Sequence, residues 1–169
     1  RDGNQEKYPK AATLVWPKTH PTLSAADAQP SASCTERVAF QSNRDGNWEI
    51  YTMNWDGSEL RRLTYTSRDE LAPTWSPDGE WIVFYSQGYR GDWELWIMDS
   101  EGANLRLITH SYRQELSPVW WPSCEWIYYQ SDRAFSWDIY RMNSRGTVVE
   151  RLTSPGADDL IDNQVFLLD

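Results

Sequence analysis

The chain is 169 residues long, the size of one domain or a piece of one, and carries a net charge of −9. That balance leaves no basic face for nucleic acid or anionic lipid, and no apolar run approaches the roughly 20 residues of a membrane-spanning helix. Neither nucleic acid nor direct membrane insertion is therefore expected. Eleven Trp, nine Tyr and four Phe make the chain aromatic-rich and suited to strands.

In chain order, residues 1–8 (RDGNQEKY) match residues 44–51 (RDGNWEIY) at six of eight positions, 43 residues apart. Residues 9–33 lose that pattern. There Pro9, Pro17, Pro21 and Pro30, among many Ala, Ser and Thr, read as a decayed repeat or an extended linker. The stretch 1–36 is thus expected to be a degenerate part-repeat or linker.

From residue 37 onward one unit is written three times, over 37–79, 81–124 and 126–169. Ser42, Ser86 and Ser131 correspond, as do Trp48, Trp93 and Trp137, Met53, Met98 and Met142, and Thr64, Thr109 and Thr153. Neighbouring landmarks lie 44 or 45 residues apart throughout. A fixed period of that size means stacked supersecondary units rather than one free-standing core.

Each unit reads as strands. Val38-Ala39-Phe40, Ile82-Val83-Phe84 and Ile127-Tyr128-Tyr129 are β-branched or aromatic runs, followed by Trp-Glu-Ile-Tyr (48–51), Trp-Glu-Leu-Trp (93–96) and Trp-Asp-Ile-Tyr (137–140). Asp56-Gly57, Glu101-Gly102 and Arg145-Gly146 are turn dipeptides that close a hairpin onto a strand ending in Leu63-Thr64, Ile108-Thr109 or Leu152-Thr153. Pro73-Thr74-Trp75 supplies a fourth strand before the Asp78-Gly79 turn. Four short strands per unit is the blade of a β-propeller, so the fold class is all-β: about three four-stranded blades following the degenerate 1–36.

The motifs Phe-x-Ser-x-Arg-Asp-Gly-x-x-Glu-Ile-Tyr-x-Met-Asn, Arg-Arg-Leu-Thr and Pro-x-Trp-Ser-Pro-Asp-Gly resemble the TolB-type propeller repeat, over residues 37–161. The resemblance implies strands a (Pro-x-Trp), b (Val-Ala-Phe), c (Glu-Ile-Tyr) and d (Arg-Leu-Thr) from the channel outward, and a periplasmic or extracellular location. The sequence departs from the pattern at Trp121-Pro122-Ser123-Cys124 and at Asp162-Asn163-Gln164. Three blades do not close a ring. The expected arrangements are a piece of a larger propeller, a homodimer in which residues 163–168 of one chain complete the other, or a heteromeric neighbour.

In a propeller the b–c and d–a loops share one face. Here they carry Arg44, Asp45, Arg68, Asp69, Glu70, Tyr89, Arg90, Arg113 and Glu115, the residues expected to meet a partner. Glu70, Glu115 and Asp159 each lie six residues after the repeat Thr. Carboxylates in that pattern ring a channel mouth and can hold a hard cation such as Ca²⁺; the alternative is that each accepts hydrogen bonds from loop backbone or an adjacent Arg. Trp48, Trp93 and Trp137 either pack between blades or stack on sugars, and Trp55 stands where the other repeats have Ser100 and Ser144.

Catalysis finds little support. There is no Gly-x-Ser-x-Gly elbow, and His20 and His110 belong to no zinc-type motif. Cys34 and Cys124 precede strand b in blades 1 and 3, consistent with free thiols or with a bond between two chains. The expected function is a non-enzymatic scaffold for protein–protein interaction or assembly, as a subunit of a larger complex. The alternatives are a sugar- or small-molecule-binding sensor ectodomain and the accessory propeller of a prolyl-oligopeptidase-like hydrolase.

Overall fold

The computed structural model describes residues 37–121, 125–154 and 156–161. The expectations for residues 1–36, for both cysteines and for the strand at 163–168 lie outside the described residues. Those described form three antiparallel sheets and no helix, so none is long and apolar enough to cross a membrane. The first sheet holds β1 (Arg37–Ser42), β2 (Glu49–Asn54) and β3 (Arg61–Arg62). The second holds β4 (Glu70–Trp75), β5 (Trp81–Gln87), β6 (Trp93–Asp99) and β7 (Arg106–Leu107). The third holds β8 (Glu115–Trp120), β9 (Trp126–Ser131), β10 (Asp138–Asn143) and β11 (Val149–Arg151).

Every hydrogen-bonded neighbour in a sheet is also the neighbour in sequence, so each sheet is a meander. Register repeats as well: Val38 faces Met53, Ile82 faces Met98 and Ile127 faces Met142. The outer strands β3, β7 and β11 are short, and the Leu-Thr or Ile-Thr dipeptide finishes each edge. Leu63, Ile108 and Leu152 donate their backbone N–H to Ile50, Leu95 and Ile139 O at 2.8–2.9 Å. The following threonine then uses its hydroxyl in place of a carbonyl: Thr64, Thr109 and Thr153 Oγ1 accept from Ile50, Leu95 and Ile139 N at 2.8, 2.8 and 3.1 Å.

The innermost strands start earlier than the Pro-x-Trp motif suggests, at Glu70 and Glu115. The reason is a bulge. Register shifts between Leu71 and Thr74 and between Leu116 and Val119. Ala72 and Ser117 sit there at φ of 50° and 52°, each just before a proline that could not have donated to the ladder.

The second sheet is buried on both faces, and strand alternation divides its residues. Ile82, Phe84, Trp96 and Met98 join Ile50 and Leu63 in one core. Val83, Leu95, Ile97 and Ile108 join Trp120, Ile127, Tyr129, Tyr140 and Met142 in the other. With a period of two, a strand covered on both sides reads as a continuous apolar run, as Trp81–Tyr85 does. Each such side chain contributes about 1.5–3 kcal/mol on full burial.

Candidate functional site

The b–c loops (43–48, 88–92 and 132–137) and the d–a loops (63–69, 108–114 and 152–160) meet at one end of the sheets, held by a repeated backbone clasp. The carboxylate of Asp69 accepts from Trp48 N at 3.0 Å, and that of Asp158 accepts from Trp137 N at 3.0 Å. In the middle repeat the Gln114 amide oxygen does the same for Trp93 N at 3.0 Å. The clasp closes in reverse where Glu70 N reaches Trp48 O at 2.8 Å and Asp159 N reaches Trp137 O at 2.7 Å. The three tryptophans therefore mark the junction between blades. Trp93 also packs edge-on against Tyr85, with ring centroids 5.4 Å apart.

With Asp69 and Asp158 holding backbone N–H groups, the face also presents arginines and rings. Arg68 lies over Tyr89 at 5.5 Å and over Trp96 at 5.7 Å, Arg90 over Tyr112 at 4.2 Å, and Arg113 over Phe135 at 4.7 Å. All are within cation–π range. Tyr65, beside Arg62, belongs to the same row. Tyr65, Tyr89, Tyr112 and Phe135 are 73%, 82%, 75% and 88% exposed. Arg44 is held over Phe40 and Tyr51 and bonds Ser42 Oγ at 2.9 Å, while Asp45 is taken up by the Tyr51 hydroxyl and Arg62.

Glu70 and Glu115 are placed differently from the sequence expectation. They open β4 and β8, at 2% and 0% exposure, and face the strand-c acid of the preceding blade rather than solvent. Among the described residues no three His, Cys, Asp or Glu side chains are gathered so as to hold a metal. Glu70 and Glu115 are each occupied at their own blade junction. Glu70 accepts from Thr66 and Ser86 hydroxyls; Glu115 accepts from Ser111 and Ser131 hydroxyls and pairs with Arg133 at 2.9 Å.

Each junction between described sheets thus buries two carboxyls with one arginine. Glu49 pairs with Arg62 at 2.6 Å, leaving its neighbour Glu70 without a cation, because Gly88 stands where the third repeat has Arg133. Glu115 has Arg133, leaving its neighbour Glu94 without one, because Leu107 stands where the first repeat has Arg62. Burial, with Glu49 beside it, pushes Glu70 up to about 8. Burial, with Glu115 beside it, does the same to Glu94, against the opposite pull of Thr109. Glu49 Oε2 and Glu70 Oε2 are both buried with no hydrogen-bond partner among the described residues. In the third repeat burial works against Asp138, but bonds from Arg151, Ser136 and Thr153 hold its carboxyl below the ordinary range.

Of the residues read from sequence, Arg44, Arg68, Tyr89, Arg90 and Arg113 come to the loop face, while Asp45 and Asp69 are tied back into it. Sequence reading missed Tyr65, Tyr112 and Phe135, whose positions vary between repeats. It also missed the burial of Glu49, Glu94 and Asp138, although an acid directly after each repeat Trp was the signal.

Residues 69–164 match the sequence profile of the TolB beta propeller domain. A TolB homolog of Chlorobaculum tepidum is 29% identical over 122 residues, 71% of this chain and 27% of the relative. A Tol-Pal system protein TolB of Desulfosudis oleivorans is 44% identical over 50 residues, 30% of this chain and 11% of that one. A solved structure assigned to TolB, from Agrobacterium tumefaciens, superposes with a TM-score of 0.63 at 26% identity, covering 72% of this chain and 46% of its own. The chain thus spans less than half the length of each of these relatives. With three meandering sheets, one repeated blade junction and a profile match across more than half of its length, the chain belongs to the TolB β-propeller domain family.

Proposed function

We propose that this chain serves as a non-enzymatic β-propeller scaffold for protein–protein interaction, as a subunit of a larger assembly on the periplasmic or extracellular side. The observation that carries the reading is the loop face, where four aromatic rings stand more than two-thirds exposed beside Arg62, Arg68, Arg90 and Arg113. Tyr and Arg are enriched among residues that dominate binding energy at protein interfaces, and a contiguous exposed apolar patch marks such a site. The name of the Desulfosudis relative, a protein of the Tol-Pal system, fits a role in assembly.

A photo-crosslinking residue placed at Tyr112, in cells that produce the chain, tests this. Discrete protein adducts are expected from position 112 and none from Arg145, which lies on the hairpin at the other end of the blades. Equal adduct patterns from both positions would remove the loop face as the docking surface. Native mass by light scattering, with and without reductant, then separates a two-chain ring from assembly with a different protein.

A further inference from the structure

The loop face combines two properties that together name a kind of partner. None of the ion pairs among the described residues uses Arg44, Arg68, Arg90 or Arg113, whereas Arg37, Arg61, Arg62, Arg133, Arg141 and Arg151 all have a carboxylate. In a chain of net charge −9, most of the unneutralised arginines are thus gathered at one end. Three acids of these loops are each held to a backbone N–H: Asp69 to that of Trp48, Asp132 to that of Gln114, and Asp158 to that of Trp137.

The arrangement also repeats. Arg68 and Arg113 are equivalent positions one blade apart, each reaching from a d–a loop onto an aromatic of the following b–c loop, Tyr89 or Phe135. A guanidinium resting against a ring keeps N–H donors that can meet a carboxylate, and it loses less side-chain freedom on binding than a free arginine does. Arg68 also lies over Trp96, whose ring is 6.5 Å from that of Tyr89 between centroids.

We infer that the Arg68–Tyr89 and Arg113–Phe135 stacks form a repeated receptor for an acidic segment of a partner protein. Its Asp or Glu carboxylates would be spaced to meet successive blades, with apolar side chains between them to lie on Tyr89, Tyr112 and Phe135. The inference rests on the loop face being the docking surface. Isolated guanidiniums set one blade apart, interspersed with Asp45 and Asp92, suit spaced carboxylates better than the continuous phosphates of a nucleic acid or a lipid headgroup layer.

The test is fluorescence anisotropy of the full chain with three labelled peptides of equal length: a Glu/Leu peptide, its Gln/Leu isostere and its Lys/Leu counterpart. The Glu peptide is expected to bind tightest, to weaken at least tenfold between about 50 and 500 mM salt, and to weaken at least tenfold in Arg68→Gln plus Arg113→Gln. The control pair Arg106→Gln plus Arg145→Gln, at the other end of the blades, should bind like the parent. Equal binding of the Gln isostere, lost in Tyr89→Ala plus Phe135→Ala, would overturn the acidic preference while leaving the docking face intact. Binding of none of the three peptides would overturn both. Tighter binding to duplex DNA or to phosphatidylglycerol vesicles than to the Glu peptide would overturn the assignment to an acidic protein segment.

Discussion

Gly57, Gly102 and Gly146 occupy one position in the three repeats, with φ of 85°, 85° and 74°, yet their surroundings differ. Among the described residues a Cβ on Gly57 would meet nothing within 4 Å, whereas one on Gly102 would lie 2.9 Å from Leu63 O and one on Gly146 closer still to Ile108 O. The turn accounts for the first glycine; the approach of the preceding blade adds a second reason at the other two. Gly57→Ala is accordingly expected to cost about 1 kcal/mol, for left-handed backbone only, and Gly146→Ala roughly 2–4 kcal/mol, because backbone must also move. Urea unfolding of the two variants measures the difference, and equal losses would show that the blades do not approach there as described. The sequence reveals that all three are turn glycines. It does not distinguish them, since the clashing atom belongs to a different repeat.

At the scale of the strand, the threonine ending each outer edge joins the ladder to the buried acids. Thr109 Oγ1 accepts from Leu95 N at 2.8 Å and donates to Glu94. Thr109→Val keeps the shape but strands a buried backbone N–H and removes a donor from a buried carboxyl. A loss of about 1–3 kcal/mol is expected, with faster hydrogen exchange at the Leu95 amide. Unchanged protection at Leu95 would mean that its N–H has another acceptor. The innermost strands teach a related lesson. Pro73 and Pro118 flag strand a in the sequence, but β4 and β8 begin three residues earlier, because the bulge at Ala72 and Ser117 lets the chain pair on both sides of the proline. Gln41 Oε1 supports that bulge by accepting from Ala72 N at 2.6 Å, a contact between blades that no local pattern announces.

For the molecule as a whole, the paired carboxyls tie stability to pH. Glu70 and Glu94 stand at about 8 in the folded chain against an ordinary value of 4.5, so the folded state binds more protons between those limits. Their contribution is therefore complete below about 4.5 and lost as pH rises through about 8. The groups facing Glu94 are Glu115 with its Arg133, the Thr109 hydroxyl and Ser111 N; those facing Glu70 are Glu49 with its Arg62, and the Thr64, Thr66 and Ser86 hydroxyls. The urea midpoint is expected to fall between pH 5 and pH 9. Glu70→Gln plus Glu94→Gln, which needs no proton, should flatten that slope and exceed the parent in stability at pH 9. A variant keeping the full slope would locate the linkage elsewhere. Asp138 acts in the opposite sense at the acid end, its contribution being lost as pH falls through its depressed value.

The sequence by itself determined the period of 44 or 45 residues, the strands within each unit, their turns and the propeller class, because these follow from backbone chemistry and two-residue alternation recurring in register. It also marked Arg68, Tyr89, Arg90 and Arg113 as loop residues. Only the tertiary structure decided that Glu70 and Glu115 are buried against Glu49 and Glu94, that Arg68 and Arg113 lie across rings from the next loop, and which glycines are crowded. Each of these is a relation between one blade and the next. A repeat fixes what is local to it, whereas the charge and space at a junction depend on which residues two successive copies happen to bring together, as Gly88 and Leu107 do in standing where other repeats have arginine.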